Sequence, residues 1–372
     1  MNEKIVIAKP SITDLEIGYV EDAIRNGWGD KCYDYIQKLE KTFANYIGVK
    51  YSLATSSCTG AIHIALAAIN IKDGDEVIVP EITWIATAAP ITYLGAKPVF
   101  VEVLADTWCI DPAKIEAAIT VKTKAIIAVQ VYGNLAEMDE IKKIASKHNL
   151  FLIEDAAEAL GSEYKGRRTG SLGDIGVFSF HGTKTITTGE GGMLVTDNKT
   201  LFAKVKSLAD HGRVPEEEKL FYPHQVGYKY KISNLQAALG YAQISRIEEL
   251  VEKKRQIFEW YVTELKDIKA NFNYEQQYAR NSYWMPTILI DNMSEEKRNN
   301  LIKNLKNKGI DTRPFFYPLS LLPMFDSKPE NKVAYSIYKN GINLPSFFEI
   351  TRAQVRKVSG TLMNEIKNLN YA

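Results

Sequence analysis

The sequence has few cysteines, no excess of charge of either sign and no long apolar run. Its three cysteines, Cys32, Cys58 and Cys109, form an odd, scattered set among 372 residues. Such a set builds neither a disulfide framework nor paired zinc knuckles, and no metal site is expected. A reducing cytoplasm is the expected location. Lysine and arginine number 46 against 45 aspartates and glutamates, a formal net charge of +1. That balance leaves no electrostatic footprint for nucleic acid or for an anionic membrane. No segment approaches the ~20 apolar residues that span a bilayer. The nearest, Trp84 to Ala96, is interrupted by Pro90 and Gly95. The short apolar run after Met1-Asn2-Glu3-Lys4 stops at Pro10 and is unlike a signal peptide. Internal repeats and low-complexity tracts are also missing.

What is present is an ordinary globular composition, 45% hydrophobic and 24% charged, in a chain long enough for two domains. Ser11 and Asp14 open a helix that Asn26-Gly27 closes, and a second runs from about Tyr35 to Ile47. From Ser52 to about Asp197, apolar runs alternate with helical patterns. Residues 76–80, 98–103, 125–131, 150–155, 177–180 and 193–196 read as buried strands. Residues 61–68 and 138–148 read as helices between them. The alternation predicts an α/β fold with a mostly parallel sheet, and the continuous hydrophobicity predicts strands buried on both faces. Residues 233–265 read as one long connecting helix. The division this suggests is a large domain over residues 1–243 and a smaller C-terminal α+β domain over 244–372. The latter is expected to hold a strand over 284–290, a helix over 294–309 and a last helix from about Thr351.

In such a sheet, ligands sit beyond the carboxyl ends of the strands, and the polar clusters fall there. Thr55-Ser56-Ser57-Cys58-Thr59-Gly60 leads into a helix. Small hydroxyl residues and glycine at a helix start offer free amides to a phosphate. An ordinary helix cap, which needs one hydroxyl, would account for the same residues. Asp155 ends an apolar strand, so its carboxylate needs a buried partner. A protonated pyridine nitrogen is one such partner, and a lysine, arginine or backbone amide is another. Lys184 follows the next strand, in a loop that ends in Gly189-Glu190-Gly191-Gly192. A lysine among small residues there suits a Schiff-base lysine reaching a cofactor aldehyde, although lone lysines are usually solvated. Phosphate cradle, acid and amine occur in that order at the strand ends of one sheet. Pyridoxal phosphate (PLP) needs all three.

The motifs Glu154-Asp155-Ala156-Ala157-Glu158-Ala159-Leu160-Gly161, Phe178-Ser179-Phe180 through Lys184, and Thr187-Thr188-Gly189-Glu190-Gly191-Gly192 carry a resemblance over nearly the whole chain. The sequence resembles the PLP-dependent sugar aminotransferases of the DegT/DnrJ/EryC1/StrS type, and among them the perosamine and viosamine synthases. The resemblance implies fold type I, with a seven-stranded mixed sheet in the large domain. It implies that Lys184 anchors the cofactor and carries the proton, and that Asp155 pairs with the pyridine nitrogen. Cys58 and Thr59 would meet the phosphate with Ser179, Trp84 would stack on the ring, and Glu158 would lie near the ring oxygen. Lys229 stands where the family usually has an asparagine that reaches the phosphate of the neighbouring subunit. Residues 29–33 depart from the family's small-residue turn near the sugar. His181, Arg313 and Tyr317 are candidates for the substrate side, and His63 reads as a plain helix residue. The implied reaction moves an amino group from glutamate, released as 2-oxoglutarate, to C4 of a nucleotide-linked 4-keto-6-deoxyhexose. The implied assembly is a homodimer with shared sites. Amination at C3, another keto sugar and an amino-acid aminotransferase are the alternatives.

Overall fold

Helix α1 (Asp14–Asn26) starts where the Thr13 hydroxyl accepts from the first-turn amides and the Glu16 carboxylate takes the Thr13 amide at 2.7 Å. Helix α2 (Asp34–Ile47) stops at Gly48, whose φ of 81° gives a left-handed end. The structure, a computed structural model, describes residues 4–214, 218–219 and 221–370.

Strands β1 (Tyr51–Thr55), β2 (Glu76–Pro80), β3 (Lys97–Val101), β4 (Thr123–Val129) and β5 (Phe151–Asp155) follow. The short β6 (Glu163–Tyr164) and β7 (Arg167–Arg168) come next, then β8 (Ile175–Ser179) and β9 (Gly192–Thr196). Seven of these form the expected sheet, in the order β1-β9-β8-β5-β4-β2-β3. Pairing is parallel from β8 through β3, and β9 runs antiparallel to both of its neighbours. Helices α3 (Cys58–Ala68), α4 (Ala89–Tyr93), α5 (Pro112–Ala118), α6 (Met138–Lys147) and α7 (Lys199–Ala209) lie between or after the strands. Alternate strand residues feed two separate cores. Ile78, Ile126 and Leu152 point to one, and Val77, Val79, Ile127 and Ile153 to the other. A sheet covered on both faces has apolar residues at nearly every position, which is why its strands were visible as continuous runs. Strand β1 was not anticipated, because Tyr51-Ser52 and Thr55 dilute its pattern.

The long helix expected over 233–265 is two helices, α8 (Asn234–Ser245) and α9 (Ile247–Glu264). They break at Arg246, whose guanidinium reaches back to the buried Glu16 at 2.9 Å. No glycine or proline marks that break in the sequence. The boundary read near residue 243 lies in the last turn of α8.

Strands β10 (Ala270–Phe272), β11 (Ala279–Arg280), β12 (Thr287–Ile290), β13 (Arg313–Pro314) and β14 (Gly341–Asn343) complete the set. Four of them make an antiparallel sheet, β10-β12-β14-β13, while β11 joins β6 and β7. Helices α10 (Glu295–Asn307) and α12 (Arg352–Asn370) belong to this half, whereas α11 (Lys332–Ile337) packs through Ala334 and Ile337 in the core of the large sheet. Ile257 and Tyr261 of α9, Leu301 of α10 and Val358 of α12 share one core with Ile288 and Ile342. The strand expected over 284–290 begins only at Thr287, because Tyr283 adopts a φ of 50° and turns the chain. That turn frees Trp284 to face the other half of the molecule.

Candidate active site

Beyond the carboxyl ends of β5 and β8 lies a cavity of about 690 Å³, lined on its far side by residues 313–317. Asp155, the last residue of β5, is 4% exposed. Its carboxylate accepts from the Thr87 hydroxyl at 2.7 Å and from the Ala157 amide at 3.1 Å. Burial pushes its pKa up, and those two bonds together with the Lys184 charge oppose the push. The result is a desolvated acid, steadied by two donors, on the wall of a ligand-sized space.

Lys184 sits in the loop between β8 and β9. That loop is tied across its neck, with the Phe180 amide on the Gly191 carbonyl and the Thr188 amide on the Phe180 carbonyl, both at 2.9 Å. Lys184 Nζ donates to Glu158 Oε1 at 3.2 Å and lies 3.6 Å from the centre of the Trp284 ring. Trp284 is fixed in turn by its indole N–H on the Thr183 carbonyl at 2.8 Å. A carboxylate on one side and an aromatic face on another hold the amine at the cavity wall. Burial raises the Glu158 carboxyl's pKa, and the Lys184 charge works against that rise.

The start of α3 is the third component. Ser57, in extended conformation, caps the helix by accepting the Gly60 amide at 3.0 Å. The Cys58 and Thr59 amides belong to the first turn, which has no intrahelical acceptors, so they suit an anion. A side chain at Gly192 would stand 2.6 Å from the Cys58 nitrogen, so only glycine lets β9 pass this close. Burial holds the Cys58 thiol well above its ordinary pKa, which keeps a thiolate charge away from such an anion. The Ser179 hydroxyl accepts the His181 amide at 3.3 Å and borders the same cavity.

The opposite wall is more open. Trp84 is 60% exposed, with its ring 6.3 Å from that of Phe316. His181 is exposed and bonded to the Thr183 hydroxyl at 3.0 Å. Arg313 pairs with Asp311 at 2.8 Å, and Tyr317 takes a bond from Arg298 at 3.4 Å. All of these except Asp311 and Arg298 line the cavity, as do Cys58, Thr59, Asp155, Glu158 and Ser179. Lys229 does not. It is exposed and paired with Asp210 at 3.3 Å, away from this chain's own cavity. His63 is a residue of α3, as expected, and is buried with its Nδ1 2.9 Å from the Tyr230 hydroxyl.

Sequence reasoning missed Thr87 and Trp284. Thr87 lies 68 residues from the acid it supports, and Trp284 lies 101 residues from the loop it braces. The only local signal was the position of Trp284 at the start of an apolar run, and it was read as part of a strand.

Residues 10–363 match the model of the "DegT/DnrJ/EryC1/StrS aminotransferase family". The chain is 40% identical to a GDP-perosamine synthase of Escherichia coli O157:H7 over 352 residues, 94% of this chain and 95% of that protein. It is 39% identical to a GDP-perosamine synthase of Caulobacter vibrioides over 363 residues, 96% and 97% of the two. In structure it is similar to the "putative sugar aminotransferase" of Streptococcus pneumoniae in its PMP form. The TM-score is 0.94 at 27% identity, with 99% of each chain covered.

Proposed function

The chain belongs to the DegT/DnrJ/EryC1/StrS aminotransferase family, and from that premise we propose that it moves an amino group from glutamate to C4 of a GDP-linked 4-keto-6-deoxyhexose. One observation carries the reading. A buried acid, an amine held by a carboxylate and an anion-ready helix start all border a single cavity. Those residues fit PLP. Asp155 would hold its ring nitrogen, the Cys58 and Thr59 amides with the Ser179 hydroxyl would hold its phosphate, and Trp84 would cover its ring. When bound, the cofactor supplies an electron sink that makes a proton on the adjacent carbon removable.

The chain's own residues do the rest. Lys184 Nζ is the covalent anchor and, once released, the base that carries the proton between the two carbon positions. Glu158 and the Trp284 face keep that amine from swinging away. Thr87 holds Asp155 in one orientation, so that its carboxylate would be ready for the ring nitrogen. The same residues serve both halves of the reaction, first releasing 2-oxoglutarate and then aminating the sugar.

Arg313 and Tyr317, with His181, form the substrate side of this proposal. Arg313 is the group suited to a carboxylate or a diphosphate. Lys229 points away from its own cavity and is exposed, which suits a role at the phosphate of a second copy in a homodimer. Incubation with 15N-glutamate and GDP-, dTDP- and UDP-linked keto sugars tests the whole reading. Nitrogen-15 at C4 of the GDP sugar is expected. Label at C3, or transfer to 2-oxo acids alone, would overturn it.

A further inference from the structure

Tyr132 is fully buried in a conformation that tyrosine seldom adopts, with φ 52° and ψ 25°. Such a backbone persists only where its surroundings impose it. Here the left-handed turn delivers the Tyr132 amide to Glu158 Oε2 at 2.9 Å. The other oxygen of that carboxylate takes the Lys184 amine at 3.2 Å. The Tyr132 backbone thus fixes the carboxylate that fixes the lysine.

The ring reaches the same amine by a second route. It lies nearly parallel to Trp284, with centres 6.0 Å apart and planes 13° apart. Lys184 Nζ rests 3.6 Å from the centre of that indole. The Tyr132 ring also stacks on Phe316 at 5.0 Å and 8°. The hydroxyl accepts the Phe316 amide at 3.2 Å and the Asn343 side-chain amide at 3.3 Å. Phe316 sits between Arg313 and Tyr317, on the open wall of the cavity.

We propose that Tyr132 is a positioning residue that ties the substrate-side segment 313–317 to the Glu158–Lys184 pair. One buried side chain then sets both where the sugar is held and where the lysine amine points. This rests on the aminotransferase reading above and adds to it a named link between binding and proton transfer. The link has two separable arms. The hydroxyl holds the segment through Phe316 and Asn343. The backbone and ring hold the amine through Glu158 and Trp284.

The Tyr132→Phe variant removes only the first arm, leaving the ring and the amide in place. In the holoenzyme, KM for the GDP-linked keto sugar should rise about tenfold while kcat falls no more than about threefold. The Asn343→Ala variant should raise KM likewise, and the double variant should fall short of the sum because both act on one contact. The Tyr132→Ala variant removes the ring and with it the packing on Trp284 and Phe316 that helps to impose the left-handed turn. In cofactor-free protein, acetylation of Lys184 by acetic anhydride, read by peptide mass, should then run severalfold faster than in the wild type. That readout needs no turnover, so it stands apart from the choice of substrate, while wild-type 15N transfer tests the parent reading. An unchanged KM in Tyr132→Phe, or a kcat that falls as far as KM rises, overturns the proposal. So does unaltered acetylation of Lys184 in a folded Tyr132→Ala protein. Should Tyr132→Ala not fold, the Tyr132→Phe kinetics decide alone.

Discussion

The two walls of the cavity are held by different means. On the inner wall, Asp155 ends a strand buried on both faces and Lys184 sits in the tied loop after another, and the polar atoms of both have near partners. On the outer wall, Trp84 and Arg313 are more than half exposed, and Arg313 belongs to a two-residue strand. A chemical step needs fixed groups, because a small displacement of an amine or an acid costs much of the rate. Recognition of a large substrate needs an entrance, and the open wall leaves one. The difference teaches that turnover should depend most on the inner wall and apparent affinity on the outer.

The largest effect belongs to the inner wall. The Lys184→Ala variant should lose at least about a thousandfold in turnover, since anchor and proton carrier go together. Single-turnover assays with glutamate alone and with the amino-sugar product should both show it. Asp155→Asn should cost about a hundredfold in kcat by removing the charge that would pair with the ring nitrogen. Thr87→Val should cost about tenfold, because it leaves Asp155 with one donor fewer. If Thr87→Val equals wild type, the inner wall is not held as tightly as the geometry indicates. On the outer wall, Arg313→Ala should raise KM for the sugar nucleotide about tenfold with a smaller fall in kcat. A fall in kcat alone would break the division between the walls.

The last effect is on stability rather than turnover and lies behind the inner wall. Lys254 is buried, with its ammonium on the Ser346 carbonyl at 2.6 Å. Burial lowers its pKa from 10.5 to about 7. Between those values the unfolded chain keeps a proton that the folded chain has released. Resistance to denaturant attributable to this group should therefore rise with pH from about 7 to 10.5, by at most about 1.4 kcal/mol per pH unit. Urea midpoints of wild type and Lys254→Met at pH 6.5 and pH 9 check this: the wild type should gain relative to the variant at the higher pH.

Legibility in the sequence follows the same division. Asp155 and Lys184 were readable because one ends an unbroken apolar strand and the other lies in the loop after the next, and a buried parallel sheet writes itself as such runs. The order of acid and amine, with the α3 start before them, was enough to suggest the cofactor. Trp284 and Thr87 act through partners far along the chain, and no local pattern encodes such a pairing. The break at Arg246 comes from an ion pair with Glu16, and the shortened strand β12 from a left-handed Tyr283. The first uses no glycine or proline and leaves no mark, whereas Pro286, directly before Thr287, marks the second. The outer wall is assembled from loops and very short strands, and periodicity says nothing about it. The family resemblance supplied Arg313 and Tyr317 as candidates, and the fold brought them to the cavity.

The most direct test of the account is where the cofactor is attached. The purified enzyme loaded with PLP should be reduced with borohydride, digested, and its peptides mapped by mass. The account predicts one modified residue, Lys184, with no modification of Lys253 or Lys254 nearby and none in the presence of excess glutamate. Modification at another lysine, or none at all in enzyme that transfers amino groups, would contradict it.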